Sequence, residues 1–190
     1  LADDTRDGFP STSHLSAIDR DGNAVSMTTT IERAFGSRLM VRGFLLNNQL
    51  TDFAFIPRRD GRVVANAVAP GKRPRSSMSP TLVFNADGEL FATVGSPGGS
   101  RIIAYVTKTL IGLLDWELDM QAAIDLPNHA NRNGATELEK NTSVVKHAEA
   151  LRGLGHEVKI RSLVSGLHGI RVTQDGYDGG ADRRREGISL

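Results

Sequence analysis

The stretch that most constrains this chain runs from residue 90 to residue 116: LFATV, then GSPGG, then SRIIAYVTKTLIGLLDW. The apolar run closing on a Gly-rich turn reads as a strand. The residues after it carry Ile102, Ile103, Val106, Leu110, Leu113 and Leu114 at helical spacing, which predicts a helix over 100–116. A strand that feeds a helix through Gly98-Gly99 exposes backbone N–H groups at the positive end of the helix dipole. Such a turn suits phosphate, carboxylate or a developing oxyanion, and an ordinary strand–helix turn is the equally simple reading. It is not a P-loop, because no Gly-Lys-Ser/Thr follows.

Around this unit the chain reads as strands, then helices, then strands. Residues 13–19 and 24–31, joined by Asp21-Gly22-Asn23, predict a β-hairpin. A short strand at 43–46 runs into Asn47-Asn48-Gln49. Residues 54–75, with six basic side chains and prolines at 57, 70 and 74, read as a long loop. A second hairpin spans 81–85 and 90–94, and shorter helices fit 120–124 and 142–154. Strands at 158–160 and 169–172 close the chain around a Gly-rich turn. There is no βαβ alternation and no repeat, which predicts an α+β fold with an antiparallel sheet covered by helices.

Composition narrows the function. The chain has 190 residues, enough to bury one core, and Lys plus Arg (23) nearly cancels Asp plus Glu (22). That balance argues against a nucleic-acid binder, which needs a concentrated basic face. The one dense basic run, Arg183-Arg184-Arg185, is read as a solvated turn, with structural ion pairing as the second reading. There is no cysteine, so disulfides, thiolate catalysis and Cys-based zinc sites are out. The five histidines show no metal spacing, and His14 is expected to act only through packing. No apolar run approaches the roughly 18 residues of a membrane span. The first residue is Leu rather than Met, so the sequence is read as a fragment with any targeting segment upstream.

Two hydroxyl clusters remain. Ser76, Ser77 and Ser79, set among prolines, either cap turns or bind a carboxylate. Thr12-Ser13 opens the first strand. A threonine hydroxyl within a chain is a poor nucleophile. As a first residue it gains its own α-amine, of pKa about 7.7–8.0, as a base.

Seven stretches in order resemble the γ-glutamyltranspeptidase family of N-terminal-nucleophile hydrolases: TSHLS from Thr12, DGNAV from Asp21, TTTI from Thr28, FGS from Phe35, GFLLNNQLTDF from Gly43, PGKRPRSSMSPT from Pro70 and GSPGGSR from Gly95. Gly180-Ala181-Asp182-Arg183-Arg184 is similar to the tail of the family's catalytic small subunit. The resemblance implies an αββα sandwich of which this chain supplies about half, its apolar sheet face covered by a large subunit of the same precursor. It implies self-cleavage at Ser11–Thr12, so that residues 1–11 are the tail of the large subunit and 12–190 the small subunit, here still joined. Thr12 is then the nucleophile, oriented by Thr30, with Gly98 and Gly99 as the oxyanion hole. Gln49 and Asp52 hold the donor's α-amine, and Ser76 and Ser77 its α-carboxylate. No cofactor or metal is implied, and the family's usual bacterial location is periplasmic or secreted.

The implied activity is a γ-glutamyl hydrolase or transferase on glutathione-like or poly-γ-glutamate donors, releasing the acyl group to water or an amine. The alternatives are an acylase on glutaryl-type side chains, which would not need Asp52, and a non-catalytic member that is never cut. Two departures stand out. Glu32 occupies a position where family members commonly have an asparagine for the α-carboxylate, with Arg33 and Arg38 near enough in sequence to pair with it. The loop between Phe53 and Lys72 is shorter than in members with a lid and lacks their tyrosine, which predicts a more open acceptor side.

Overall fold

The computed structural model describes residues 12–190. In chain order these form β1 (Ser13–Ile18), β2 (Ala24–Thr29), β3 (Met40–Val41), β4 (Phe44–Leu45), β5 (Arg58–Arg59), β6 (Arg62–Val63), β7 (Thr81–Phe84) and β8 (Leu90–Gly95). After these come α1 (Ile102–Leu114), α2 (Met120–Asp125), β9 (His129–Asn131), β10 (Thr136–Glu139), α3 (Ala148–Gly153), β11 (Val158–Arg161), β12 (His168–Thr173) and β13 (Gly176–Ala181). Short 3₁₀ turns cover Gln49–Asp52, Gly99–Arg101 and Ser143–His147. No helix among the described residues is long and apolar enough to cross a membrane. The chain divides into two compact units, one of Thr12 with Thr29–Ser77, the other of Ser13–Thr28 with Met78–Leu190.

The larger unit is layered. Its sheet runs β13-β12-β8-β7, antiparallel throughout. Side chains alternate between sheet faces, and the register pairs Gly169 with Val94 and His168 with Gly95. On the first of these faces a Cβ at Gly169 would meet the Met120 sulfur at 2.6 Å, which places α2 there. On the second, a Cβ at Gly95 would meet the His14 ring at 2.2 Å, so β1 lies across the opposite face with no room for a side chain at 95. The predicted hairpin and helix are present. α1 turns Ile102, Tyr105, Val106 and Leu113 into the core with Ala92, Val94, Met120, Ile124 and Leu167, and leaves Ile103 and Leu114 exposed. Each fully buried aliphatic side chain contributes about 1.5–3 kcal/mol.

Three expectations are corrected. β10 and β11 are parallel (Thr136 opposite Val158, Glu139 opposite Arg161), joined by a crossover through the 3₁₀ turn and α3, so one βαβ unit is present. β11 and β12 belong to different sheets, β11-β10-β9 and β13-β12-β8-β7, rather than to one closing pair. The single helix expected over 142–154 is a 3₁₀ turn followed by the six residues of α3.

In the arginine run the first reading, a solvated turn, holds for the exposed Arg183, and the second, ion pairing, holds for Arg184. Arg184 is mostly buried: its Nη2 donates to Glu139 Oε2 at 2.8 Å, its Nη1 to Asp182 Oδ1 at 3.2 Å, and the same guanidinium reaches the Ile124 and Leu126 carbonyls. Asp182 is 1% exposed. Burial alone would raise its pKa, but Ser165, the Leu167 and Arg184 amides and the Arg184 charge hold it below the ordinary carboxylate value. Beside this pair, the buried Lys108 Nζ donates to the carbonyls of Ala123, Ile124 and Leu126 at 3.3, 2.6 and 2.7 Å. These donors satisfy carbonyls at and just past the C-terminal end of α2. Burial, with the Arg184 charge second, lowers the Lys108 pKa to about 7.

Candidate functional site

In the smaller unit, short hydrogen-bonded loops gather most of the sequence-predicted residues. β2 ends at Thr29, and Thr30 follows it directly. Thr12 is buried and donates its hydroxyl to Thr30 Oγ1 at 2.9 Å, which also accepts the Glu32 amide at 2.9 Å. Two acceptances fix the Thr30 oxygen, so the Thr12 hydroxyl has a defined direction.

Asn48, which sequence reasoning did not single out as a site residue, organises the next layer. Its amide bonds the Ile31 carbonyl at 3.3 Å, and its side chain donates to Glu32 Oε2 at 2.5 Å and to Thr51 Oγ1 at 2.9 Å. This ties the 3₁₀ turn Gln49–Asp52 to the segment after β2. Gln49 donates Nε2 to the Thr30 carbonyl at 3.2 Å. Its Oε1 is buried and has no hydrogen-bond partner among the described residues. A buried orphan acceptor is costly unless a ligand donor completes it.

Glu32 holds a left-handed backbone, φ 72, with its carboxylate shared between Asn48 and Arg33 Nε, 3.6 Å away. Arg33 therefore supplies the charge partner that the sequence suggested for Glu32. Asn66, also not singled out beforehand, joins the turn to the serine segment. It donates to the Asp52 carbonyl at 2.6 Å and accepts the Arg75 amide at 3.1 Å. Ser76 and Ser77 follow Arg75, Ser76 exposed and Ser77 half-buried. The sequence signal for Asn48 was its place in the polar Asn47-Asn48-Gln49 run of the GFLLNNQLTDF stretch; Asn66, set among valines and alanines, carried none.

The larger unit holds the glycine turn. Gly98 has φ 145 and Gly99 φ 59, both conformations that favour glycine. A Cβ at Gly98 would come within 2.6 Å of the Tyr105 ring. The turn opens a 3₁₀ segment that leads into α1 with no side-chain cap, which leaves the helix start open to an anion. His14 is 7% exposed, with Nδ1 2.8 Å from Thr28 Oγ1 and Nε2 3.3 Å from Ser16 Oγ. Burial, then the nearby His168, lowers its pKa to about 4, so it is neutral near pH 7. Ser11, the other side of the expected cut, lies outside the described residues. No group of three His, Cys, Asp or Glu side chains among the described residues is placed to hold a metal.

Residues 3–190 match the model of the family described as gamma-glutamyltranspeptidase. The chain belongs to the γ-glutamyltranspeptidase family. It is 37% identical to a glutathione hydrolase proenzyme of Bacillus subtilis (strain 168) over 94% of its length, and 38% identical to that of Escherichia coli (strain K12) over 92%. It spans only 30% and 31% of those two relatives. The crystal structure of a Helicobacter pylori γ-glutamyltranspeptidase mutant superposes with a TM-score of 0.81 at 34% identity, covering 90% of this chain and 99% of that one. The α+β elements described above are thus those of a γ-glutamyltranspeptidase with the N-terminal-nucleophile hydrolase fold, and this chain supplies about half of the sandwich.

Proposed function

We propose that this chain is the catalytic portion of a self-processing γ-glutamyl hydrolase or transferase, cut between Ser11 and Thr12 and completed by a large subunit from the same precursor. The observation that carries the reading is the buried Thr12 hydroxyl donating to Thr30 at 2.9 Å. Before cleavage Thr12 has an amide nitrogen and no base. After it, the freed amine takes the hydroxyl proton, and Oγ1 attacks the γ-carbonyl of the donor to form an ester acyl-enzyme. The Gly98 and Gly99 amides are assigned to the oxyanion, where losing one donor costs about 10²–10³ in kcat. The amine then passes its proton to the leaving nitrogen. Water or an acceptor amine next attacks the ester and regenerates Thr12.

Donor recognition is assigned to the smaller unit. The orphan Gln49 Oε1 accepts from the α-ammonium and Asp52 supplies the countercharge, while the Ser76 and Ser77 hydroxyls donate to the α-carboxylate. The need for a cationic donor group favours glutamyl over glutaryl substrates. Glu32 repels the α-carboxylate at close range, and Arg33 offsets part of that repulsion. The test uses the full-length protein: its small band on a denaturing gel begins at Thr12, is absent in Thr12→Ala, and accompanies release of the chromophore from a γ-glutamyl anilide. An uncut protein without turnover sinks the reading and leaves a structural role.

A further inference from the structure

Glu137 is not part of the machinery assigned above, yet it holds the glycine turn from the side. It lies in the middle of β10, 6% exposed, and β10 reads Thr-Glu-Leu-Glu, a pattern normally found at a surface. Its carboxylate takes a bidentate grip from Arg101, with Nε to Oε2 at 2.5 Å and Nη2 to Oε1 at 2.8 Å. Arg101 closes the 3₁₀ segment Gly99–Arg101, and its own amide bonds the Gly98 carbonyl at 3.3 Å. Arg132 reinforces the hold: Nη1 donates to Ser100 Oγ at 2.6 Å, and Nη2 stands 3.5 Å from Glu137 Oε1. Arg161, on the neighbouring β11, adds a third contact at 3.2 Å. Below the turn, the buried Tyr105 ring blocks inward movement at Gly98.

Three guanidiniums thus converge on one buried carboxylate, and two of them connect directly to the residues after Gly99. Burial alone would raise the Glu137 pKa; the Arg101 hydrogen bond and the charges of Arg101, Arg132 and Arg161 outweigh it and lower it.

From this arrangement we infer that Glu137 is a positioning residue for the γ-glutamyl reaction: by fixing Arg101, and Ser100 through Arg132, it sets the direction of the Gly98 and Gly99 amides. The inference rests on the assignment of those amides to the oxyanion. Its effect belongs to the transition state, because the donor's ammonium and carboxylate are assigned to residues in the other unit.

Two consequences of removing the carboxylate have opposite sign. Electrostatically, Glu137→Gln leaves three uncompensated cations near the turn and would favour an oxyanion. Positionally, the three guanidiniums repel one another, Arg101 loses its anchor, and the amides are no longer held to the oxyanion; misplacement on this scale costs up to about 10²-fold. The positioning role predicts that the second effect wins.

The experiment measures kcat and KM for a γ-glutamyl anilide with wild type, Glu137→Gln, Arg101→Lys and the double variant. All are made in the full-length protein and normalised by the amount of soluble, processed small band so that misfolded material does not count. Expected are a fall in kcat of about 10–10²-fold, KM within about twofold, and a double variant no worse than the worse single. A kcat per active site that is unchanged or raised in Glu137→Gln overturns the inference. If that variant fails to fold, Arg101→Lys decides alone, since it keeps the charge and loses the bidentate grip. Gly98→Ala separates the two layers of the argument, because its Cβ must push the turn off Tyr105. Wild-type rate in Gly98→Ala removes the oxyanion assignment itself, whereas a slow Gly98→Ala beside a fast Glu137→Gln removes only the role of Glu137.

Discussion

The two units of this chain hold themselves together in different ways. The larger one buries a continuous apolar core and, beside it, charged groups that satisfy one another, such as Arg184 with Glu139 and Asp182. The smaller one buries only Phe53 and Ala67 among its described apolar side chains, while Phe35, Met40, Phe44, Leu50, Phe55 and Ile56 are each at least 65% exposed. Its shape depends on loop hydrogen bonds made by Thr30, Asn48 and Asn66. The apolar core and the proposed donor chemistry thus fall in separate parts of the sequence. Large apolar side chains left open in this number suit a partner that covers them, in keeping with the proposed large subunit.

Five changes would break or sharpen that contrast. Arg184→Ala should cost the most, about 3–5 kcal/mol, because it strands the buried Glu139 and Asp182 carboxylates; chemical denaturation reads it, and a loss under about 1 kcal/mol would show that the cluster is not stabilising. His14 should give a pH effect of up to about 3 kcal/mol. Its folded pKa is depressed to about 4 from 6.5. The unfolded chain therefore binds the proton first, and stability present above pH 6.5 is lost as pH falls toward 4. His14→Gln should flatten that part of the melting curve series, and an unchanged slope would assign the effect elsewhere.

Thr30→Val, nearly isosteric, should lower kcat by about 10²-fold with the melting temperature little moved. A parallel loss of both would mean that the smaller unit is not energetically separate. Glu32→Gln removes the repulsion of a donor carboxylate and should lower KM for glutathione-like donors by about 1 kcal/mol, or fivefold; a raised KM would show that Glu32 recognises a cation on the donor. The smallest effect is expected for Phe44→Ala, within about 0.5 kcal/mol in the isolated chain. If a partner covers this face, the same variant weakens subunit association, which sedimentation would detect.

What the sequence disclosed follows the reach of its patterns. β1, β2 and α1 carry their own periodicity and turn residues, so they were legible, as was the glycine turn between β8 and α1. β10 was not, because Glu137 and Glu139 make sense inside a protein only once Arg101, Arg161 and Arg184 arrive from distant positions. β13, Gly-Tyr-Asp-Gly-Gly-Ala, has poor strand propensity; its reason is contact, since a Cβ at Gly180 would strike the Gln121 backbone at 3.0 Å. The donor-site residues came from the family's motif rather than from any local pattern; of their supports, Asn48 lies within that motif with nothing local to mark its role, and Asn66 lies outside it among valines and alanines.

The backbone at Glu32 has one further consequence. A left-handed conformation with φ 72 is tolerated by asparagine better than by glutamate, and what Glu32 sets against that strain is the bond from Asn48 and the charge of Arg33. Exchanging Glu32 for Asn should relax the backbone by a few tenths to about 1 kcal/mol and give up the reach to Asn48 and Arg33. Backbone strain and side-chain contacts are thus balanced against each other at a single residue, so an exchange there shifts the turn without a one-sided gain in folding energy.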